Sequence, residues 1–395
     1  MYPQLFVIQV KNTQAPTINS LFAYALGEDS HVNGSEQQQR IRLIPLADGS
    51  FKTEPINACG NIGFGISTTD KQDGASNNNG VYKIETSLNG DPVFELNFDR
   101  FSFDESRHLN QLIDYKYFSK NKSRITKLFL QPNNPLSIYN NVVNQGKLNI
   151  QDSLTYLYNI KVLDFDGNQR IIRIQIIGKQ NNNIIPKEIK KTDYFVQADQ
   201  AFSIEENGID VYIPKGSLYE DTFLDISFKG DTIYFHQDDT PIHNSITLGF
   251  DVSKYRPEDR EKMFIARLGY QGRPNYNSTY TKGDRFTIST RTFGDYTLAA
   301  DIKPPSISPV NFQNNQWITG NSNLKLRISD DISGIKSYRA TVNGKFILME
   351  YESKNNTLTH DFNDGVVTET ENNLKVIVTD NVGNSTTYEA VFFRK

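Results

Sequence analysis

The sequence predicts an all-β chain of three tandem β-sandwich domains, the first and last immunoglobulin-like and the first carrying a short helical insertion. Three observations predict it: apolar residues alternate over short runs, Asn-Gly pairs separate such runs, and one order of turn residues recurs near both ends of the chain. The first copy reads Ala15-Pro16-Thr17-Ile18, Gly80-Val81-Tyr82, Leu88-Asn89-Gly90 and Asp164-Phe165-Asp166-Gly167-Asn168. The second reads Pro304-Pro305-Ser306-Ile307, Gly334-Ile335-Lys336, Val342-Asn343-Gly344 and Asp380-Asn381-Val382-Gly383-Asn384. The spacing from the first Gly to the Asn-Gly pair is the same in both. A pattern made of turn chemistry points to repeated binding or spacer modules before it points to an active site.

Each element follows from local chemistry. Tyr158, Ile160 and Val162, like Leu374, Val376 and Val378, alternate so as to share one face of a strand. Both runs lead into an Asp-x-x-Gly-Asn turn, where Asp accepts backbone N–H bonds and Gly supplies a positive φ. Closing strands are expected over 171–177 and 387–393. Asn89-Gly90 and Asn343-Gly344 predict type I′ hairpins, joining 81–88 to 94–98 and 335–342 to 346–351.

In the first copy, Leu109, Leu112, Ile113 and Tyr117 recur at helical spacing after Asp104-Glu105-Ser106, which predicts a capped short helix within an insertion over about 104–140. A basic run follows: Lys116, Lys120, Lys122, Arg124 and Lys127. Such a run is ordinarily a solvated face, and its sharper reading is contact with an anionic envelope polymer or a partner subunit. The polar stretch Gln180-Asn181-Asn182-Asn183 marks the first boundary. The expected domains are therefore 1–182, 183–302 and 303–395, the middle one a second kind of β-sandwich with strands near 202–204, 211–213, 263–268, 286–289 and 296–299.

Composition narrows the function. With 395 residues, two to four domains are expected at roughly 100 to 200 residues each. A formal charge of -4 argues against wrapping nucleic acid through a general basic field. No apolar run is long enough to span a membrane, and Met1-Tyr2-Pro3-Gln4 lacks the basic start of a signal peptide. The single cysteine, Cys59, excludes an internal disulfide and reads as a small, at least half-buried residue.

The five histidines, His31, His108, His236, His243 and His360, are scattered, with no His-x-His and no His-Glu-x-x-His. His360 with Asp364, and His236 with Asp238, Asp239 and His243, are partial sets short of a zinc site. Calcium is the better metal candidate, through Asp330, Asp331, Asp380 and Asn384 at strand ends of the last sandwich. The plainer reading of Asp380 and Asn384 is turn closure. Tyr270, Tyr276 and Tyr280, around Arg273-Pro274-Asn275, could stack on sugar rings. No nucleophile elbow and no phosphate loop occurs.

The blocks Pro3-Gln4-Leu5-Phe6, Asn12-Thr13-Gln14-Ala15-Pro16-Thr17-Ile18, Gly63-Phe64-Gly65-Ile66, Phe101-Ser102-Phe103-Asp104-Glu105-Ser106-Arg107 and Ile213-Pro214-Lys215-Gly216-Ser217-Leu218-Tyr219-Glu220-Asp221 carry a resemblance. So do Asn79-Gly80-Val81-Tyr82-Lys83, Thr292-Phe293-Gly294-Asp295-Tyr296, Ser333-Gly334-Ile335, Leu348-Met349-Glu350-Tyr351 and the final Asp-x-x-Gly-Asn turn. Together they resemble the region after the catalytic domain in large lysostaphin-type peptidoglycan zinc endopeptidases of Bacteroidetes. In that family the zinc ligands come from His-x-x-x-Asp and His-x-His motifs ahead of the first block, and only two residues stand ahead of it here. No catalytic residue is carried over, and zinc would enter only with an upstream peptidase domain.

The resemblance implies a noncatalytic periplasmic or envelope arm that positions or scaffolds a cell-wall metalloendopeptidase. Two alternatives stand beside it: a protein-interaction subunit of an outer-membrane protein assembly or export complex, and a carbohydrate-binding module. The expected partners are envelope complex subunits or peptidoglycan, with no nucleic acid and no membrane span.

Overall fold

A computed structural model describes residues 11–395, and within them nearly all of the regular secondary structure is β-strand. The block Pro3-Gln4-Leu5-Phe6 lies outside the described residues. The chain divides into two compact units. One comprises residues 1–200 with 216–223 and 237–244; the other comprises 201–215, 224–236 and 245–395.

The first unit is organised around one long strand, Ile56–Thr69. Its start runs parallel to Gln169–Gly178, with Ile176 opposite Ile56, and its end runs antiparallel to Thr17–Ala25, with Leu21 opposite Ile66. The strand therefore belongs to both layers. Gln169–Gly178 continues the first layer through Thr155–Leu163, Lys83–Leu88 and Asp91–Asn97. Between the layers lie Phe64, Ile66, Tyr158, Ile160, Val162, Ile172, Ile174 and Ile176, each at most 1% exposed. The predicted alternation of Tyr158, Ile160 and Val162 is thus a core face.

Both Asn-Gly turns form as predicted. Asn89 and Gly90 have φ of 54° and 97°, and Asn343 and Gly344 have 50° and 79°, so all four sit in the left-handed region that a type I′ turn requires. Each Asn also bonds the next strand: Asn89 Oδ1 accepts from Leu157 N at 2.8 Å, and Asn343 Oδ1 from Asn373 N at 2.7 Å. The second hairpin differs in its far arm. Lys345–Ile347 pairs with Ile335–Val342, but Glu350–Glu352 has crossed to the other sheet, against Thr357–Asp361. Met349, 4% exposed, sits in the core at the crossing, which draws the chain from one layer to the other.

The helical insertion is shorter and more broken than its spacing suggests. Leu109–Leu112 ends where Ile113 turns extended, with φ -93° and ψ 160°, and a second helix, Tyr115–Asn121, begins afresh. Its cap is Asp114, whose side chain accepts from Tyr117 N at 3.0 Å, and it ends at Lys122 in a left-handed conformation. The expected cap at Asp104-Glu105-Ser106 does other work: Glu105 Oε2 holds Ser137 through its N and Oγ, both at 2.8 Å.

The second unit carries four sheets. Two belong to residues 202–300, with orders Phe202–Glu206, Ile209–Ile213, Ile246–Asp251, Arg285–Thr290, Tyr280–Lys282 and Ile226–Lys229, Thr232–Phe235, Gly294–Ala300, Met263–Leu268, Pro274–Tyr276. A buried tyrosine fixes their closing turn: Tyr296 OH donates to Thr292 O at 2.7 Å. The other two sheets span residues 306–393, and their core contains Leu324, Leu326, Ile328, Leu374, Val376, Val378 and Phe392.

Candidate functional site

In the second unit, three carboxylates gather at the Asp-x-x-Gly-Asn turn. Asp301, Asp330 and Asp380 bring one carboxylate oxygen each within 4.8 Å of one another. Asp301 and Asp380 are 1% and 0% exposed. Three strand ends supply them: Asp301 follows Gly294–Ala300, Asp330 follows Asn323–Ser329, and Asp380 ends Glu371–Asp380.

Most of this charge is met by N–H groups. Asp380 Oδ1 accepts from Val382 N at 3.0 Å and Asn384 N at 2.8 Å, and its Oδ2 accepts from Asn384 Nδ2 at 2.7 Å. Asp330 Oδ2 accepts from Ile332 N and from Gly334 N, the latter at 2.7 Å. Asp301 takes Lys303 N and Ser333 N, and Asn384 Nδ2 donates to the Asp301 carbonyl at 2.9 Å. The cluster is a hub that ties the strand leaving residues 202–300 to two turns of residues 306–393. Chemically it offers oxygen ligands of the hard type that calcium takes, and each carboxylate retains lone pairs beyond those counted.

Of the four predicted calcium residues, Asp330 and Asp380 are in this hub and Asn384 bonds to it. Asp331 is exposed and outside it. Sequence reasoning missed Asp301. Its signal was available, because Asp301 stands four residues before Pro305 just as Asn12 stands four before Pro16.

The first unit repeats the hub with one carboxylate fewer. Asp164, 2% exposed, accepts from Asn168 N at 2.8 Å, from Asn168 Nδ2 at 2.7 Å and from Asn12 Nδ2 at 2.9 Å. Asn168 Nδ2 also donates to the Asn12 carbonyl at 3.1 Å, as Asn384 does to Asp301. Asp70, which follows Ile56–Thr69 as Asp330 follows its strand, is 5% exposed, and its Oδ1 has no hydrogen-bond partner. Burial raises its carboxyl above the ordinary 3.8, the Lys71 N–H opposes that, and the charges of Asp164 and Asp166 add to it.

The basic run divides. Lys116, Lys120, Lys122 and Arg124 are exposed on the second short helix and the turn after it, and Arg124 lies over the Phe118 ring at 4.9 Å. Lys127 is half-buried in a strand against Gly65. Burial pushes its ammonium down from 10.5, Asp114 and Glu220 resist, and Lys187 reinforces the fall. The tyrosines divide too. Tyr270 and Tyr280 are 84% and 66% exposed, whereas Tyr276 packs on Phe264 at 5.1 Å and lines a hollow with Met263, Phe286, Asn381 and Val382.

Two histidines are buried structural groups. His31 Nδ1 accepts from Gly34 N, and His360 Nδ1 lies 2.9 Å from Leu348 O and 3.7 Å from Asp364 Oδ2. His236 Nδ1 accepts from Asp225 N, with the ring on Phe293. Cys59 is half-buried, directly across the strand pair from His31. No helix among the described residues is long and apolar enough to cross a membrane.

Residues 193–301 match the family model of the Zu5-like domain. No curated protein matches the chain. Among solved structures the chain is similar to the endo-beta-1,4-mannanase from Thermotoga petrophila, at 9% identity over 24% of this chain and 20% of that one, with a TM-score of 0.21. The chain thus spans a small part of that enzyme's length. It is also similar to fibronectin(III)-like modules of CbhA from Clostridium thermocellum, at 8% identity over 87% of this chain and 89% of that one, with a TM-score of 0.19. A third likeness is to Sidekick-1 immunoglobulin domains 1-4, at 8% identity over 98% and 96%, with a TM-score of 0.18.

Proposed function

We propose that this chain is a noncatalytic β-sandwich arm of the cell envelope that positions or scaffolds a peptidoglycan metalloendopeptidase. The observation that carries the reading is the use of a carboxylate cluster as a joint. Asp301, Asp330, Asp380 and Asn384 are spent on backbone N–H groups and a carbonyl between two successive sandwiches. Groups held in this way fix the angle between modules, which is what a spacer needs. The blocks of residues that resemble the post-catalytic region of lysostaphin-type endopeptidases supply the enzyme to be positioned and the envelope location.

A second reading, a protein-interaction subunit, is favoured by the four exposed cations on one short helix and its exit turn. An anionic partner would meet them without any rearrangement of the helix, since Asp114 caps it and Arg124 is seated on Phe118.

The test joins the chain to the C-terminus of a lysostaphin-type peptidase domain and measures peptide release from purified sacculi and from a short soluble peptide. Fusion should raise the rate on sacculi and leave the rate on the soluble peptide unchanged. Digestion of sacculi by this chain alone in zinc, or equal rates with and without it, would overturn the reading. Reversing Lys120, Lys122 and Arg124 to Glu should leave that gain intact if the arm acts as a spacer, and abolish it if the basic turn is the contact.

A further inference from the structure

The outer face of one layer of the first unit carries a hollow of about 490 Å³, across Asp91–Asn97, Lys83–Leu88, Thr155–Leu163 and Gln169–Gly178. Two rows of side chains cross these strands. In the first, Glu95, Glu85, Lys161 and Ile171 each stand directly opposite the next. In the second, Pro92, Ser87, Asn159 and Arg173 do the same. These residues alternate with Ile84, Ile160 and Ile172 of the core, so they point away from it. The register slips between Thr86 and Ser87, where a bulge leaves Val93 without an opposite residue beside Pro92.

The hollow is bipolar. Glu95 and Glu85 stand on one side and Lys161 and Arg173 on the other, and their side chains are between 24% and 41% exposed. Like charges directly opposite each other destabilise a sheet. Lys83 offsets that here, with Nζ 2.7 Å from Glu85 Oε1 and 3.1 Å from Glu95 Oε1, and Lys161 takes Glu85 Oε2 at 3.2 Å. Glu85 is therefore fully engaged, and the Lys83 bond holds its carboxyl below the ordinary 4.5 against burial, with Lys161 adding to the effect. Glu95 spends Oε1 on Lys83, and Arg173 spends Nη1 on Ser50 Oγ at 2.5 Å, with Asp48 at 3.6 Å. That leaves Glu95 Oε2 as the charged acceptor at one end of the hollow and the rest of the Arg173 fork as the charged donor at the other. Ser87, Asn141 and Asn159 line the space between.

We propose that this hollow binds a short zwitterionic peptide of about four residues, its amine at Glu95 and its carboxylate at Arg173. The spacing sets the length. The strands of Glu95 and Arg173 are three places apart in the sheet, roughly 14 Å at about 4.7–4.9 Å per place. An extended chain advances about 3.3–3.6 Å per residue, so four residues span that distance. The chemistry sets the ends and the middle. A guanidinium fork matches a carboxylate, and an asparagine amide donates and accepts as a peptide group does, which suits Asn159 and Asn141 to the backbone between the ends. A ligand anionic throughout would bring like charge to Glu95, and one cationic throughout would bring it to Arg173, so the two ends select against both. The site uses neither the aspartate hub nor the basic turn, and it stands whether or not the chain positions an endopeptidase.

The experiment titrates the full chain with tetra-alanine by calorimetry, and one equivalent should bind. Capping the ligand tests the charges without altering the protein. Acetylating the amine or amidating the carboxylate should each weaken binding by about fivefold or more, the loss of one half-buried charged contact. Dialanine, too short to reach both ends, should bind no better than the capped peptides. Glu95→Gln should abolish the effect of acetylation and leave that of amidation, and Arg173→Gln should do the reverse, a pairing that a merely structural role would not produce. Absence of saturable binding by tetra-alanine, equal affinity for capped and uncapped peptides, or cap effects that persist unchanged in the two variants would overturn the site.

Discussion

Replacing Asp380 by Ala tests whether the aspartate hub is held by N–H groups or by a cation. The substitution removes an acceptor that is 0% exposed and takes three hydrogen bonds, at 3.0, 2.8 and 2.7 Å. Bonds to a charged acceptor contribute about 1.5–3 kcal/mol each. Val382 and Asn384 lie on a turn that water reaches once the carboxylate is gone, so the full sum is not lost, and a cost of about 3–4 kcal/mol is expected. Trp317 is the only tryptophan of the chain and stacks on Phe393 at 5.3 Å, so its fluorescence reports the unfolding of residues 306–393. With a urea slope of about 1–3 kcal/mol per molar, the midpoint should fall by about 1 M or more. Asp331→Ala, at the exposed neighbour outside the hub, should stay within about 0.5 kcal/mol of the parent. A loss below about 1 kcal/mol would refute the hydrogen-bond accounting. So would a chelator that destabilises the unaltered chain as much as the substitution does, because the carboxylates would then be serving a bound cation.

Two further changes probe the first unit. Asp70→Asn should stabilise it at neutral pH by about 1 kcal/mol, since the carboxylate is buried with one oxygen unbonded. The folded-state pKa is raised, so the aspartate favours folding below the unfolded value and that contribution is lost as pH rises through the raised one. The gain from Asn should therefore shrink on acidification through the same window, and urea titrations at several pH values check it. Gly178→Ala should cost 3 kcal/mol or more, on the order of a severe packing defect, because a Cβ there would lie 1.8 Å from the Gln151 carbonyl oxygen. A melting curve close to the parent's would refute that close approach.

Much of the fold was legible because its signals are local. Asn89-Gly90 and Asn343-Gly344 specify their turns whatever surrounds them, and the alternation of Leu374, Val376 and Val378 or of Tyr158, Ile160 and Val162 names its own core face. What failed to read was decided at a distance. The helix around Leu109 breaks because Ile113 pairs with Thr126 in an isolated bridge, a constraint that helical spacing does not contain. Tyr351 leaves its hairpin because the core draws in Met349. Asp301 joins Asp330 and Asp380 only once three strand ends converge, and Glu95 and Arg173 border one hollow only because two other strands pair between theirs. Spacing along a sequence measures neighbours on one element, whereas sites are made where elements meet.

The strand Ile56–Thr69 has a mechanical consequence. Because its two ends are stitched into different layers, the layers of the first unit cannot separate as independent flaps, and any force that peels one must also shear the other. Residues 62–66, paired with Thr17–Ala25 and, over 65–66, also with Thr126–Lys127, should be the last amides of that unit to exchange with solvent. A domain with such a shared backbone yields as one cooperative unit rather than layer by layer.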